Sequence, residues 1–551
     1  VKIQKKERAM KKLRYLLPVL LSLLLTATAH GAFSDLPPSG WARDAVTAAC
    51  GYGLMDGIDA DLFGVGRTMS RAQFVTVLSR MLGWKAAAPD AFSDLSGHWA
   101  REAVNAAAAA GAVDSGGDFR PDEPITRREM AVMLVRALGY DHLAQNAYPL
   151  PFTDVSADRG YIAIAYDMGI INGNAPASFS PDSSATREQA AAMLVRVYDK
   201  LHSSTEWTHA FYAISSYSQI QLAKSFDAVS LGWSRMTWTA DGGASLNTTA
   251  QGGNEFRIPE GYASAIQELQ SAGVKLHLSV YMDTSSGLAD LLSSPQGRAQ
   301  AVEEIIAEVS RPYDGLNTNP STGVTIDFEG LRSPQRDSFT QFLTALSAAL
   351  RERNLTLYVA VMPATADGVY YDGYDCRAIG ELADKVILMA HDYHAKNLSG
   401  FLRSTYYQNT ALTPISSVYY SLRTALDPDK GVQDPDKLVL AVSCSSIAWE
   451  TDEQGLLLSE TPLYPTAETI RARMLGGAER GWSETYHNPY LRYATPEGQH
   501  VFLWYENGRS VGEKVSLARM FGVKNVSVWR LGLIPSYQDQ GLDFDVMAAL
   551  R

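Results

Sequence analysis

Two periodicities divide the chain. Up to about residue 203, apolar positions recur every three or four residues, as in HWAREAVNAAAAAGAV from His98 and TRREMAVMLVRALG from Thr126. That spacing predicts helices with one buried face. From His209 onward the pattern changes to short β-branched runs. They begin at Ala210, Phe226, Lys275, Gly323, Thr356, Lys385, Lys437 and Asn525. Most are separated by helical patterns such as PEGYASAIQELQSAG and RDSFTQFLTALSAALRERN. Strand-helix alternation repeated eight times predicts an α/β fold closed as a parallel (β/α)8 barrel. A doubly wound open sheet is the competing architecture, and the count of eight argues against it. The stretch DKLHSSTEW is the expected linker.

The helical part repeats itself. FSDL at Phe33, FSDL at Phe92 and FTDV at Phe152 recur at spacings of 59 and 60 residues. Each copy continues into an alanine-rich helix, a glycine-containing turn and a second helix. Ser70, Thr126 and Thr186 stand where an N-cap oxygen would accept from first-turn amides. Arg71, Arg127 and Arg187 follow them directly, against the positive end of the helix dipole. Each arginine either forms an anion-binding corner with the free amides or pairs with Asp35, Asp94 or Asp154 of its own repeat. The pattern leaves both readings open.

Composition narrows the partners. The 551 residues carry a formal charge of -12 with no basic stripe after the N-terminus, which disfavours nucleic acid and anionic lipid surfaces. Cys50, Cys376 and Cys444 are too far apart to suggest a disulfide framework or a metal spacing. A basic cluster from Lys2 to Arg14, the run YLLPVLLSLLL and the small-residue stretch TATAHGA predict a secretory signal peptide over residues 1–29. The expected domains are then repeats at 30–86, 87–144 and 145–203, and a barrel at 204–551 with an insertion at about 445–510. Within that insertion WSETYHNPYLRYATPEGQHVFLWYENG reads as a hairpin around PEGQ. Its Trp482, Tyr490, Trp504 and Tyr505 either wall a cleft or form the hairpin's own core.

The run GVTIDFEGL, from Gly323, holds two acids inside a strand pattern. Alternation puts Thr325, Asp327 and Glu329 on the barrel interior and Val324, Ile326 and Phe328 toward the covering helices. Glu329 ends the run, where barrel enzymes place their catalytic groups. A buried ion costs several kcal/mol unless paired, so two acids at a strand mouth point to chemistry. The sixth strand ends in His391 and Asp392, followed by Tyr393 and His394, and Trp529 lies on the eighth. Trp529 is either a floor for a sugar ring or barrel filling. No third ligand accompanies His391 and His394 at a characteristic spacing, so no metal is expected.

The motif FSDL...HWA...A...G...F.P...ITR.EMAVMLVRALG, over roughly residues 33 to 198, resembles the S-layer homology domain in three tandem copies. That resemblance implies attachment to secondary cell-wall polymers bearing acidic or pyruvylated sugars, through Arg71, Arg127 and Arg187. The first copy departs from it at Ser70 and Gln73 and the third at Glu188-Gln189, so the grooves need not be equivalent. The segments GVTIDFEGL, LYVAVMP, YYDGYDCRAIGELADKVILMAHDYH and VSVWRLG resemble glycoside hydrolase family 18, in the branch of cell-wall and spore-cortex-lytic N-acetylglucosaminidases. This implies cofactor-free, retaining, substrate-assisted cleavage of β-1,4-linked N-acetylhexosamine polymers, peptidoglycan or chitin. By the resemblance Glu329 is the general acid and Asp327 steadies the reacting acetamide, with His391, Asp392, Tyr393, Met362 and Trp529 binding substrate. The sequence departs from the family pattern at Thr322, Thr325 and His391. Loss of the inner acid predicts that Asp327 stays ionised more readily, and a neutral His391 is expected to offer one hydrogen bond to the acetamide. The expected location is outside the cell on a bacterial wall, with no membrane contact after signal cleavage. The alternative is a wall protein that binds glycan without cleaving it.

Overall fold

The computed structural model describes residues 33–85, 90–146, 148–239, 242–316, 318–364 and 371–551. The expected signal peptide lies outside them. Two compact units meet in sequence between Asp199 and Lys200.

The N-terminal unit is built from helix pairs: α1 (Trp41–Gly51) and α2 (Arg71–Leu82), α3 (Arg101–Ala109) and α4 (Arg127–Ala137), α5 (Arg159–Asp167) and α6 (Arg187–Leu201). Helix α6 absorbs the first residues of the predicted linker. What joins the pairs is a ring of backbone hydrogen bonds just before the second helices. Met69 N donates to Ala185 O at 3.0 Å, Ala185 N to Ile125 O at 2.9 Å, and Ile125 N to Met69 O at 2.9 Å. Every repeat therefore satisfies the amide of one neighbour and the carbonyl of the other, so that no edge of this ring is left open. Ser70 and Thr126 cap α2 and α4 in reciprocal capping boxes with Gln73 and Glu129. Thr186 departs from expectation: its buried hydroxyl has no partner, and only the Gln189 side chain reaches back to the Thr186 amide, at 3.2 Å.

In the C-terminal unit eight parallel strands close a barrel: β1 (Trp207–Tyr212), β2 (Ala228–Trp238), β4 (Lys275–Asp283), β5 (Gly323–Glu329), β6 (Thr356–Val361), β7 (Lys385–Met389), β8 (Leu438–Ser443) and β13 (Asn525–Trp529). Pairing of β1 with both β13 and β2 completes the closure. These are the eight predicted runs. A short β3 (Ala244–Asn247) pairs antiparallel with the end of β2. Between β8 and β13 the insertion forms a four-stranded antiparallel sheet of β9 (Ile447–Thr451), β10 (Glu479–Ser483), β11 (Asn488–Ala494) and β12 (His500–Trp504). The PEGQ hairpin joins β11 to β12, and β9 and β10 extend it on either side.

The barrel interior is filled by Phe211, Tyr358, Ile387, Met389 and Val439, among others. One level is polar instead. Ser527 Oγ bonds His209 Nδ1 at 2.7 Å, and His209 Nε2 bonds Ser230 Oγ at 2.8 Å. Ser230 Oγ meets Thr325 Oγ1 at 2.6 Å, which lies 3.3 Å from His277 Nδ1, and His277 Nε2 meets Thr356 Oγ1 at 2.9 Å. Six strands are thus stitched by neutral groups. Gly323 makes room for this layer, since a Cβ there would lie 2.3 Å from Thr356 O and 2.5 Å from His277 Cε1.

Burial holds His277 neutral, with its pKa lowered to about 3, and burial followed by the neighbouring His277 lowers His209 as well. An unfolded histidine titrates near 6.5, so below that pH the unfolded chain binds protons that the folded chain refuses. Stability is therefore full above about pH 6.5 and falls as the solution is acidified. At pH 5 His277 alone should cost about 2 kcal/mol. Urea denaturation at pH 7 and pH 5 should show this loss, and His277→Asn should show a smaller difference between the two pH values.

Candidate active site

Phe328 decides which way β5 faces. Its ring stacks on Phe342 of the helix Arg336–Arg351, with centroids 5.4 Å apart and planes at 16°. With Val324, Ile326 and Phe328 buried outward, Thr325, Asp327 and Glu329 must point into the barrel. Asp327 is 2% exposed and its Oδ1 has no hydrogen-bond partner. Glu329, half-buried, ends the strand at the mouth. There Gly330, at φ +78°, turns the chain, and a Cβ would press on Thr284 Oγ1 at 2.9 Å. The Gly330 amide donates to Met362 Sδ at 3.3 Å, which ties the end of β6 to this turn.

Strand β4 lies in register beside it, pairing Tyr281 with Asp327 and Asp283 with Glu329. Tyr281 OH donates to Asp283 Oδ2 at 3.0 Å, and Arg235 reaches the same oxygen at 3.1 Å. Burial pushes the Asp283 carboxyl up, but bonds from Ser285, Ser286 and Tyr281 and the Arg235 charge outweigh it and hold it low. Tyr374 donates to Phe328 O at 2.7 Å beneath the mouth. Tyr281, Asp283, Arg235 and Tyr374 were not singled out from sequence. The alternation in KLHLSVYMD, which puts His277, Ser279, Tyr281 and Asp283 on one face, carried the signal for two of them.

The two central acids are both shifted upward. Burial raises Asp327 well above the usual carboxylate range, and the charge of Glu329 adds to it. This corrects the expectation that Asp327 ionises readily. Losing an inner acid removes one like charge, but Thr325 turns its hydroxyl to Ser230 and His277, and burial dominates. Burial likewise raises Glu329, opposed by His391 and reinforced by Asp283 and Asp392.

His391 and Asp392 form a pair, Nδ1 to Oδ2 at 2.9 Å. Burial pushes Asp392 up, but the contact with His391 prevails and lowers it to about 2. A carboxylate only accepts, so His391 Nδ1 carries the proton. His391 Nε2 is buried without a partner. Tyr393 turns its hydroxyl to Ser421 of the helix Ile415–Ala425, at 2.8 Å. Trp529 packs on Phe211 at 5.2 Å and, like Met362, lies half-buried against the interior cluster. Among the described residues no group of three or more His, Cys, Asp or Glu side chains could hold a metal. Trp504 and Tyr505 are buried, and Tyr490 stacks on Phe502 at 5.2 Å, so these insertion aromatics are core residues, packed with Leu398 and Tyr407 of the segment after β7 and with Phe544 near the C-terminus.

In the repeats, the arginines do not pair with the aspartates of their own repeats. Asp35, Asp94 and Asp154 accept loop amides of their own repeats, for example Phe119 N at 2.9 Å and Arg120 N at 2.7 Å on Asp94. Each arginine instead reaches into another repeat. Arg71 Nε donates to Phe119 O, Arg127 Nε to Phe179 O and Arg187 Nε to Phe63 O, at 2.8, 2.9 and 2.9 Å. Each guanidinium also lies over the ring of that phenylalanine, at 4.6 to 4.8 Å. The grooves differ beyond this. Arg71 is ion-paired with Glu129 in a groove of about 260 Å³ that Asp114, Asp118 and Asp158 also line. Where Glu129 stands there, Gln189 stands in the next groove. That groove, of about 510 Å³, holds Arg127, Arg196 and the exposed Trp41, with no acid in its lining.

Comparison with known proteins agrees with both units. S-layer homology domains match at residues 32–75, 91–131 and 151–191. A candidate sporulation-specific glycosylase, YdhD of Bacillus subtilis (strain 168), is 26% identical over 245 residues, covering 44% of this chain and 53% of that protein. The cortical fragment-lytic enzyme of the same organism is 26% identical over 213 residues, covering 38% and 46%. The chain thus spans about half the length of the curated relatives it matches. Among solved structures, the C-terminal domain of a chitinase candidate from Desulfitobacterium hafniense DCB-2 shares the fold, with a TM-score of 0.50 at 19% identity, over 63% of this chain and all of that one. The sequence model of Glycosyl hydrolases family 18 matches residues 183–533, a span that contains all eight barrel strands and more than half of the chain. The chain is a member of glycosyl hydrolase family 18.

Proposed function

We propose that the barrel cleaves β-1,4-linked N-acetylhexosamine polymers by a substrate-assisted retaining route, and that the repeats hold it on a bacterial wall. The carrying observation is Glu329 at the mouth with its carboxyl raised by burial, directly above the unpartnered Asp327 on the same face. Glu329 gives its proton to the glycosidic oxygen as that bond breaks. The substrate's acetamide oxygen attacks the anomeric carbon from the other side, and water later opens the cyclic intermediate with Glu329 taking its proton back. Burial keeps Asp327 from ionising until an acetamide N–H and a developing positive charge arrive beside it. Its carboxylate is then stabilised where the intermediate needs it. His391, fixed by Asp392, lines the acetamide side. Anchoring to the wall makes peptidoglycan the preferred substrate over chitin, because a tethered enzyme meets that polymer at high local concentration.

In the repeats, the groove of Arg127 and Arg196 supplies the anion site. Two cations without a carboxylate in the lining and an exposed indole suit an acidic sugar, whereas Glu129 already satisfies Arg71.

Glu329→Gln should lower kcat on N-acetylglucosamine oligomers on the order of a thousandfold. De-N-acetylated oligomers should resist the unaltered enzyme, since they lack the internal nucleophile. Activity depends on protonated Glu329, so it should persist above the usual carboxylate range and fall as pH rises through the raised pKa. Equal cleavage with and without the acetyl group would refute the assisted route, and tight binding with no products would make the barrel a glycan-binding protein.

Sedimentation with purified wall sacculi tests the repeats. Arg196→Ala, which spares the Arg127 contact with Phe179, should weaken binding roughly tenfold or more. Arg71→Ala should change it little.

A further inference from the structure

The mechanism above gives Asp283 no task, yet the fold is built around its carboxylate. Ser285 and Ser286 donate to Oδ1, the second at 3.0 Å, while Tyr281 at 3.0 Å and Arg235 at 3.1 Å fill Oδ2. Each oxygen thus accepts two bonds from within the chain, which is the capacity of a carboxylate oxygen and leaves none for a sugar. The donors are themselves fixed. The Tyr281 ring stacks on Phe256 at 4.4 Å with planes at 7°, and the Arg235 guanidinium lies over the Tyr281 ring at 5.1 Å. Asn254, 4% exposed, holds Phe256 in turn: its Nδ2 donates to Phe256 O at 2.7 Å and its Oδ1 accepts from Phe256 N at 3.0 Å.

What Asp283 stands beside is Glu329. The two are register partners at the ends of adjacent parallel strands, about 4.8 Å apart at the backbone. The residues that follow them, Thr284 and Gly330, come so close that a Cβ on Gly330 would lie 2.9 Å from Thr284 Oγ1. The other titratable or charged groups around Glu329 are Asp327 on its own strand, Tyr281 on β4, Tyr374 beneath the mouth, and His391, Asp392 and Lys396 after β7. Burial raises Glu329 most; His391 and Lys396 oppose this, and Asp283 and Asp392 add to it. Arg235 lies on β2, one strand further away, so of that ion pair the carboxylate is the nearer to Glu329. We propose that Asp283 is a positioning residue for the general acid: its charge, fixed beside Glu329 by Arg235, Tyr281, Ser285 and Ser286, keeps the proton on Glu329 until the glycosidic oxygen takes it. The inference rests on the role proposed for Glu329 and extends it to a neighbouring strand.

The test uses the full chain carrying isotope-labelled glutamate, with the Glu329 carboxyl signal identified in NMR by its loss in Glu329→Gln. In Asp283→Asn, which keeps the size and removes the charge, Glu329 should titrate about one pH unit lower. The alkaline limb of kcat/KM on N-acetylglucosamine oligomers should move down with it, while KM and the low-pH kcat change less than about twofold. Asp283→Glu retains the charge and should leave the limb near its original place. Arg235→Gln should move it upward, because the carboxylate then loses its counter-ion, and this variant carries the test if Asp283→Asn does not fold. An unmoved Glu329 titration overturns the proposal. A raised KM with an unmoved limb also overturns it, by making Asp283 a sugar contact, and an equal loss of kcat at every pH in the Asp283→Asn and Asp283→Glu variants overturns it by assigning a structural role. Should the unaltered protein cleave nothing, the hydrolase reading fails, and the NMR titration still decides whether Asp283 governs Glu329.

Discussion

Side-chain alternation along β5 is the constraint on which the site depends. The outward residues of that strand are committed to the helix layer by the stacking of Phe328 on Phe342. The inward ones therefore cannot leave, and a one-residue slip would expose phenylalanine and bury the acids among helices. Asp327 and Glu329 are consequently held in a place that penalises their charge. The fold accepts that cost at the mouth because the interior below is satisfied without charge, through serines, threonines and neutral histidines on six strands. Thr325 belongs to that layer. It supports the floor of the site by hydrogen bonding and does not share protons with Asp327.

The N-terminal unit depends on a different closure. Its ring of backbone bonds and its three arginine-phenylalanine contacts repeat almost unchanged, because each repeat must meet the others in the same way. What lines the grooves is free to diverge. Gln189 in place of Glu129 at the corresponding position leaves the ring of backbone bonds and the arginine-phenylalanine contact intact, and it leaves in one groove a cation that is ion-paired in another. Symmetry of the frame and asymmetry of the binding surface are thus compatible, since they rest on different atoms of the same helix ends.

The barrel was legible because its strands are buried on both faces and read as unbroken apolar runs. Short polar strands such as β3 and β10, with sequences ASLN and ERGWS, carry no such run and were missed. Glu329 and Asp327 were found from period and position alone. The ionisation of Asp327 was misjudged because sequence shows neighbouring charges and hides burial. The arginine acceptors were invisible for another reason: Arg187 and Phe63 are 124 residues apart, and a backbone carbonyl leaves no mark in composition. The insertion aromatics could only be resolved by burial, which sent Trp504 and Tyr505 inward and left Tyr464 outside.

Taken together, the acids of the mouth sort into two kinds. Asp283 and Asp392 stay charged, each held low by specific partners: Arg235, Tyr281 and two serines for the first, His391 for the second. Asp327 and Glu329 have no such partner, and burial raises both. The first kind sustains the second, since Asp283 and Asp392 both push Glu329 upward while His391 and Lys396 pull it down. Groups whose environments drive their pKa values apart are the means by which one site can offer a proton donor and a charge stabiliser at the same pH. Here the separation comes from which carboxylates the surrounding loops chose to satisfy, and the unsatisfied pair is the one that faces the barrel axis.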